Sequence, residues 1–191
     1  MATRSLFFAA LVIVWHPAGA QSGFDPGRTV ELPAHRALQR IMAREDTALA
    51  PFTTDGCSGG LSASWTVVAD QFPDFAEAHG GVPPWQGCCV SHDRAYHDAG
   101  GTLDADASYD ARLVADTALR ACVEAEGETR IEVIADLYGV QDDTVRQAYV
   151  TIAGSMFLAV RLGGGPCTGL PWRWGYGYPQ CVTLPGDFTA D

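Results

Sequence analysis

Residues 88–98 read CCVSHDRAYHD, and this stretch is the most informative in the chain. If it forms a helix, Cys88, His92 and Tyr96 lie one above another, because side chains four residues apart share a face. Two adjacent cysteines beside a His-Asp pair are not needed by an ordinary core helix. They are typical of a functional site that must be held rigidly.

A second row of side chains, Cys89 and Asp93, lies about 100° around the same helix. Adjacent helical cysteines point in different directions, so we expect each to bond a different part of the chain. One row then carries a histidine and the other a carboxylate, and a crosslink braces each row one turn earlier. This arrangement would preorganise a pair of functional groups.

The first twenty residues carry the features of a secretory signal peptide. Arg4 gives a positive start, residues 6–15 form an apolar run about half as long as a bilayer span requires, and Ala18-Gly19-Ala20 resembles a cleavage site. An uncleaved anchor is the alternative, which the shortness of the run disfavours. We therefore expect a signal peptide over 1–20, a single domain over 21–191, and a secreted or periplasmic protein.

The charge of the chain limits its partners. The formal net charge is −11, and all the basic residues are arginine. Binding to nucleic acid needs clustered positive charge, so this class of partner is not expected. No later segment is long and apolar enough to span a bilayer, so we do not expect an integral membrane protein after cleavage.

The cysteine count predicts three disulfides, because the number is even and the expected compartment is oxidising. Fifteen pairings are possible in principle. Zinc is the competing interpretation, and it is disfavoured because the chain has neither a C-x2-C nor an H-x3-H spacing. The six residues are Cys57, Cys88, Cys89, Cys122, Cys167 and Cys181.

The hydrophobic pattern predicts a mostly α-helical domain with no internal repeat or dividing linker. Residues 21–33 are rich in glycine and proline and are expected to be loose, and residues 61–82 could form a strand or a short helix. The tail from Cys167 to Asp191 is expected to be an aromatic, loop-rich segment. Helices are predicted over 33–50, 85–99, 104–126, 130–138 and 142–162.

A glycine-dense loop, DGCSGG at 55–60, precedes the helix. A bond between Cys57 and Cys89 would bring this loop over Asp93. Backbone carbonyls together with a carboxylate are the ligands that calcium prefers. The sequence therefore suggests a calcium site between the loop and the helix.

The next predicted helix supplies acids that can face His92. If Cys122 bonds Cys88, the two helices run antiparallel, and His92 then faces a position near 118. Asp116 is the nearest acid, while Asp110 lies on a different face of its helix. A His-Asp pair without a serine or cysteine nucleophile suits a general base that activates water.

These residues resemble a known family. CCVSHDRAY is similar to the active-site helix of secreted phospholipases A2, whose pattern is CC-x2-HD-x2-Y. TDGCS at 54–58 resembles the calcium-loop segment of the bacterial and fungal members, and DTALRAC at 116–122 resembles the family's third-helix segment. The resemblance covers roughly residues 52–122.

The resemblance implies a disulfide-linked antiparallel helix pair with a calcium-binding loop, to which this chain adds further helices and a disulfide-closed C-terminal tail. It implies calcium-dependent hydrolysis of the sn-2 ester of a phospholipid, at an interface or in micelles. His92 would be the water-activating base. Asp116 would orient it, with Asp110 as the alternative, and Tyr96 would bond into that network. Calcium ligands would come from Asp93, Asp55 and Gly56.

Two other functions remain open at this point. The chain could be a non-enzymatic secreted protein that uses the scaffold for binding, or a hydrolase of a different ester, since a fold does not determine a substrate. The aromatic residues of WRWGYGYP at 172–179 could pack around a Cys167–Cys181 bridge or form a patch at a lipid surface. The sequence favours packing.

Overall fold

The computed structural model describes residues 25–58, 65, 69–71, 73–78 and 80–189, and these residues are mostly helical, with no strand among them. The predicted signal peptide lies outside the described residues. Single turns of 3-10 helix occur at Gly56–Ser58, Ala99–Gly101 and Pro185–Phe188. The α-helices of the described part are α1 (Pro26–Met42), α2 (Pro73–Ala78), α3 (Gln86–His97), α4 (Ala105–Glu128), α5 (Ile131–Tyr138) and α6 (Asp142–Gly163).

Helix α1 begins seven residues earlier and ends eight residues earlier than the sequence pattern predicted. The carboxylate of Asp25 accepts hydrogen bonds from the N–H groups of Gly27 and Arg28 at 2.9 and 3.2 Å, and Pro26 occupies the first helical position. Both features favour a helix start. Pro33, which was predicted to start the helix, lies inside it. A capping aspartate and a proline therefore outweigh the glycine-rich composition that predicted a loose segment.

Helices α3 and α4 run antiparallel. A disulfide joins Cys88 to Cys122, and further along α3 the side chains of His92 and Tyr96 both contact Asp116 of α4. The chain reverses between the helices at Gly100, which has a φ of +71°. A Cβ there would lie 2.8 Å from the Cβ of Ala111, so the close turn requires glycine. The reversal places one face of α3 against α4.

Two buried clusters hold the helices together. One joins α3, α4, α5 and α6, and the other joins α1, α3 and the C-terminal tail. Their larger members are Trp85, Leu119, Val123, Tyr149 and Met156 in the first cluster, and Leu38, Tyr96 and Trp174 in the second. Because Cys88 belongs to the first cluster and Tyr96 to the second, the row of α3 that carries His92 lies where the two clusters meet.

The aromatic tail packs into the second cluster. Trp174 is fully buried, and the N–H of Gly175 donates to the carbonyl of Tyr96 at 2.6 Å. Gly175 has a φ of +72°, and a Cβ there would meet Leu38 at 2.7 Å. The disulfide Cys167–Cys181 closes this segment. The tail is therefore part of the core that supports α3.

All six cysteines are paired, as the count predicted. The bonds are Cys57–Cys89, Cys88–Cys122 and Cys167–Cys181. None of the described helices combines the length and the apolar character that crossing a membrane requires.

Candidate functional site

A buried carboxylate on α4 receives the two functional side chains of α3. Oδ1 of Asp116 lies 2.9 Å from Nε2 of His92 and accepts a hydrogen bond of 2.6 Å from the hydroxyl of Tyr96. Asp116 is fully buried and His92 nearly so. The spacing of four residues on α3 lets both donors reach one oxygen. The contact fixes Nε2 of His92 and leaves Nδ1 as the ring nitrogen that Asp116 does not use.

The structure distinguishes the two aspartates that the sequence offered as partners of His92. Asp116 makes the contact, whereas Asp110 lies on the outer face of α4 and pairs with Arg28 of α1. About a turn and two-thirds of helix separates the two acids, which directs them to different sides of α4.

The charges around Asp116 keep it ionised despite its burial. Burial raises the pKa of Asp116, but the hydrogen bond with His92 and the charge of Arg112 lower that pKa below its ordinary value. The pKa of Tyr96 is raised well above its ordinary value, chiefly by burial, so its hydroxyl stays protonated and can donate. The site therefore presents an anion behind a histidine, with a hydroxyl donor beside both.

The loop that carries DGC is tied to the other row of α3. The bond between Cys57 and Cys89 anchors it, and the hydroxyl of Thr54 donates to Oδ2 of Asp93 at 2.5 Å. The same hydroxyl accepts from the N–H of Gly56 at 2.9 Å. Thr54 thus links the backbone of the loop to the carboxylate of α3.

Gly56 occupies a position that favours glycine. Its φ is +67°, a left-handed conformation that residues with a Cβ rarely adopt. A Cβ would also lie 2.1 Å from the side-chain nitrogen of Gln86, which would have to move to make room.

Two carboxylates lie close together at this loop. Burial raises the pKa of Asp93, the hydrogen bond from Thr54 lowers it, and the negative charge of Asp55 raises it further. The same two carboxylates act on Tyr176. Burial, together with the charges of Asp93 and Asp55, raises the pKa of Tyr176 to about 12. The carboxylates of Asp93 and Asp55 therefore lie near enough to interact, and two neighbouring carboxylates attract a cation.

Adjoining cavities open beside these side chains. A small one of about 30 Å³ borders His92, Asp93 and Gly56, and it has room for water. A larger one of about 240 Å³ extends outward from it, lined by Thr54, Tyr176 and other residues of the loop and the tail. The residues common to both cavities are Asp55, Asp93 and Trp172.

The residues predicted to bind calcium meet at these cavities. Asp93 and Asp55 line both, and Gly56 lines the smaller one. Within the described ranges no three His, Cys, Asp or Glu side chains converge on a point where they could hold a metal. Two carboxylates beside a turn of exposed backbone nevertheless match the oxygen ligands of calcium, since carbonyls and water complete most such sites.

Several residues of the site were not assigned to it from the sequence, although TDGCS contains Thr54 and WRWGYGYP contains Trp172 and Tyr176. Thr54, Trp172 and Tyr176 line the larger cavity, and Arg161 donates to Oδ2 of Asp116 at 3.0 Å. Thr54 precedes the DGC segment, so its position alone could have drawn attention. A partly buried arginine such as Arg161 has no sequence signal that separates it from a surface one.

No protein-family model, no curated protein and no solved structure matches this chain.

Proposed function

We propose that this protein is an exported, calcium-dependent hydrolase of the phospholipase A2 type, which cleaves the sn-2 ester of a phospholipid. The observation that carries the proposal is the contact between Nε2 of His92 and the buried Asp116, beside a cavity that also contains Asp93. The contact leaves one nitrogen of His92 available as a base. The motifs CC-x2-HD-x2-Y and DGCS support the same conclusion.

His92 has the surroundings of a general base. Asp116 is ionised and fixes one ring nitrogen, so a proton accepted at Nδ1 gives an imidazolium next to a carboxylate. That charge pair stabilises the protonated base, and orientation of the ring keeps Nδ1 directed to one place. The small cavity beside the ring has room for the water that would lose the proton. His92 would then return the proton to the leaving alcohol.

The described residues that line the two cavities include neither a free cysteine nor a serine that could act as a nucleophile. All cysteines are in disulfides. Thr53 and Thr54 line the larger cavity, but the hydroxyl of Thr54 already makes hydrogen bonds with Asp93 and Gly56. A direct attack by water is the simpler mechanism for this set of side chains.

Asp93, Asp55 and the loop at Gly56 are the residues that would bind calcium. The carboxylates of Asp93 and Asp55 would hold it together with backbone carbonyls of the loop at Gly56. When bound, it would polarise the ester carbonyl and stabilise the negative charge that develops on its oxygen. Thr54 positions Asp93 through its hydrogen bond, and the Cys57–Cys89 bond keeps the loop against α3.

The larger cavity is the proposed place for the lipid. It shares Asp55, Asp93 and Trp172 with the small cavity, and its apolar surface comes from Pro171, Trp172 and Tyr176. Apolar surface combined with a few polar groups suits a small amphipathic ligand. The ester would lie where the two cavities meet, between His92 and Asp93.

The proposal also includes a phospholipase A2-like arrangement of the helix pair and its loop. The antiparallel pair α3 and α4, two disulfides and the loop at 54–58 are the elements that the phospholipase A2 resemblance implies. Three disulfides are also consistent with an exported protein, since oxidising compartments preserve them. Helices α1, α5 and α6 are additions of this chain around that centre.

The test uses a phosphatidylcholine with different acyl chains at sn-1 and sn-2, presented in neutral mixed micelles. We expect the exported protein to release only the sn-2 fatty acid, and to do so with calcium and not with a chelator. Release of the sn-1 chain, or equal release in chelator, would contradict the proposal. A folded protein that binds calcium but releases neither chain would favour the non-enzymatic binding function.

A further inference from the structure

Four charged side chains form a buried group behind the site, which we call the inner charge cluster. Its members are Glu31 on α1, Arg112 and Asp116 on α4, and Arg161 near the end of α6. The side chains of Arg112 and Asp116 are fully buried, and those of Arg161 and Glu31 are 12% and 19% exposed. Two positive and two negative charges make the cluster neutral. Such neutrality is what allows charges to remain buried.

Arg161 engages the part of Asp116 that His92 does not use. Its Nη1 donates to Oδ2 of Asp116 at 3.0 Å, whereas His92 contacts Oδ1. Its Nη2 donates to Oε1 of Glu31 at 2.6 Å. Arg161 thus holds Asp116 from the side opposite to the histidine. A planar guanidinium can fix the direction of both acceptors at once.

Arg112 has a different task. Its Nη2 donates to the carbonyls of Val160 and Arg161, at 2.7 and 2.9 Å, and these bonds connect the last turn of α6 to α4. Its Nε donates to the hydroxyl of Tyr96 at 3.2 Å, and its Nη1 pairs with Glu31. Nε lies 3.9 Å from Oδ2 of Asp116, which is farther than a hydrogen bond reaches. Arg112 therefore locks the helices and contributes charge, while Arg161 contacts the carboxylate.

The remaining polar groups around the cluster do not replace Arg161. Nε2 of His35 on α1 lies 3.8 Å from Oε2 of Glu31. Tyr109 of α4 lies beside Arg161, with its ring centre 5.4 Å from the guanidinium. Burial lowers the pKa of His35, which favours the neutral ring. Among these groups, Arg161 alone donates to Oδ2 of Asp116.

We infer that Arg161 is a positioning residue: it holds Asp116 in the one orientation that fixes Nε2 of His92, and so makes helices α1 and α6 part of the hydrolytic site. The inference rests on the proposed function for its effect on turnover. It extends beyond the motif, because Glu31 and Arg161 lie outside residues 52–122. The site is therefore completed by helices that the CC-x2-HD-x2-Y pattern does not include.

The test compares Arg161→Met, Arg161→Lys and the double variant Glu31→Gln/Arg161→Met. Arg146→Met is the matched control, since Arg146 lies on the same helix and pairs with Glu128 and Asp143 at the surface. The double variant removes one charge of each sign, so the cluster regains neutrality without regaining the donor to Oδ2. It separates positioning from charge balance.

We expect Arg161→Met to lower kcat about 10- to 100-fold with KM changed by no more than about twofold, as for loss of a charged hydrogen bond that orients a base. Arg161→Lys should recover a large part of kcat, because its ammonium can still reach the carboxylate. The double variant should regain thermal stability but not kcat. Wild-type kcat in Arg161→Met, or recovery of kcat in the double variant, would overturn the inference.

A second readout does not depend on turnover. In protein with ¹⁵N-labelled histidine at about pH 8, where an ordinary imidazole is neutral, the ¹⁵N shifts report which ring nitrogen carries the proton. We expect His92, assigned by comparison with His92→Gln, to be protonated at Nε2 in wild type and mixed in Arg161→Met. Unchanged shifts would overturn the inference even if no lipid is hydrolysed. Absence of hydrolysis with changed shifts would instead refute the proposed function alone.

Discussion

His92 on α3 and Asp116 on α4 are joined across the helix pair by a contact of 2.9 Å between Nε2 and Oδ1. The disulfide Cys88–Cys122 lies one turn before His92 and crosslinks the same two helices. The crosslink sets the register of the helices, and the register brings the buried carboxylate to the histidine. Of the two aspartates of α4, Asp116 and Asp110, only Asp116 should therefore affect turnover.

Replacement of Asp116 by asparagine should lower kcat by at least about 100-fold, because the imidazolium loses its counter-charge and the ring loses its fixed tautomer. Asp110→Asn is the matched control on the same helix, since Asp110 is exposed and pairs with Arg28. Its kcat should stay within about twofold of wild type, as expected for loss of a surface pair. Steady-state kinetics on both variants would check this. A larger loss in Asp110→Asn would mean that the wrong aspartate has been assigned.

Acid should remove the stabilising effect of Asp116. Its folded pKa lies below the ordinary value of 3.8, so the ionised carboxylate stabilises the fold above that value and the stability is lost as pH falls through the folded pKa. Above about pH 5, wild type should exceed Asp116→Asn by about 3 kcal/mol in free energy of unfolding, as for a broken buried ion pair.

The check for this prediction is urea unfolding of both proteins between about pH 7 and pH 2.5, across the ordinary titration range of a carboxyl. The difference between the two curves should shrink below about pH 4 as Asp116 becomes protonated. A difference that is constant over the whole range would show that the carboxyl does not change its proton affinity on folding.

Thr54 should control the affinity of the loop for calcium. Thr54→Val removes the hydroxyl that bonds Oδ2 of Asp93 and the N–H of Gly56. Loss of a group that orients a metal ligand weakens metal binding about 10- to 100-fold. Titration calorimetry should show this change, while Thr151→Val, whose hydroxyl bonds only the carbonyl of Gln147, serves as the control. Equal calcium affinity in both variants would exclude a role of Asp93 and its loop as the calcium site.

Trp172 should contribute to binding of the lipid rather than to the chemical step. Its side chain lines both cavities, and Gly163 leaves the space it occupies, since a Cβ there would meet the indole at 2.6 Å. Trp172→Ala should raise KM about 10-fold, through loss of apolar contact area, with little change in kcat. Phe188→Ala is the control, because Phe188 is 66% exposed and does not line either cavity. A fall in kcat without a change in KM would assign Trp172 to the chemistry instead.

Much of the helix pair could be predicted from the sequence, because each helix has a local pattern and one cysteine pairing sets the register between them. The periodicity of 88–98 predicted which side chains share a face, and the even cysteine count predicted three disulfides. The antiparallel register follows once Cys88 is paired with Cys122. Asp116 then lies nearer to His92 than Asp110 does, which is the arrangement in the structure.

The rest of the site depends on contacts between distant segments, which local patterns do not report. Arg161 is 45 residues from Asp116, and Trp172 reaches the cavity only because the tail folds back onto α3. The start of α1 was missed because the cap at Asp25 outweighs the glycine content of its surroundings. Sequence spacing indicates neighbours within a helix and not those brought together by packing.

The role of His92 can be tested directly by comparing fatty-acid release by His92→Gln and wild type in the presence of calcium. The fold and the calcium affinity of both proteins are measured in parallel. We expect calcium affinity to change little, because Asp93, Asp55 and the loop remain. Release should fall by at least about 1,000-fold, since the base that activates water is removed. Release at the wild-type rate from a folded His92→Gln protein would show that His92 is not the catalytic base.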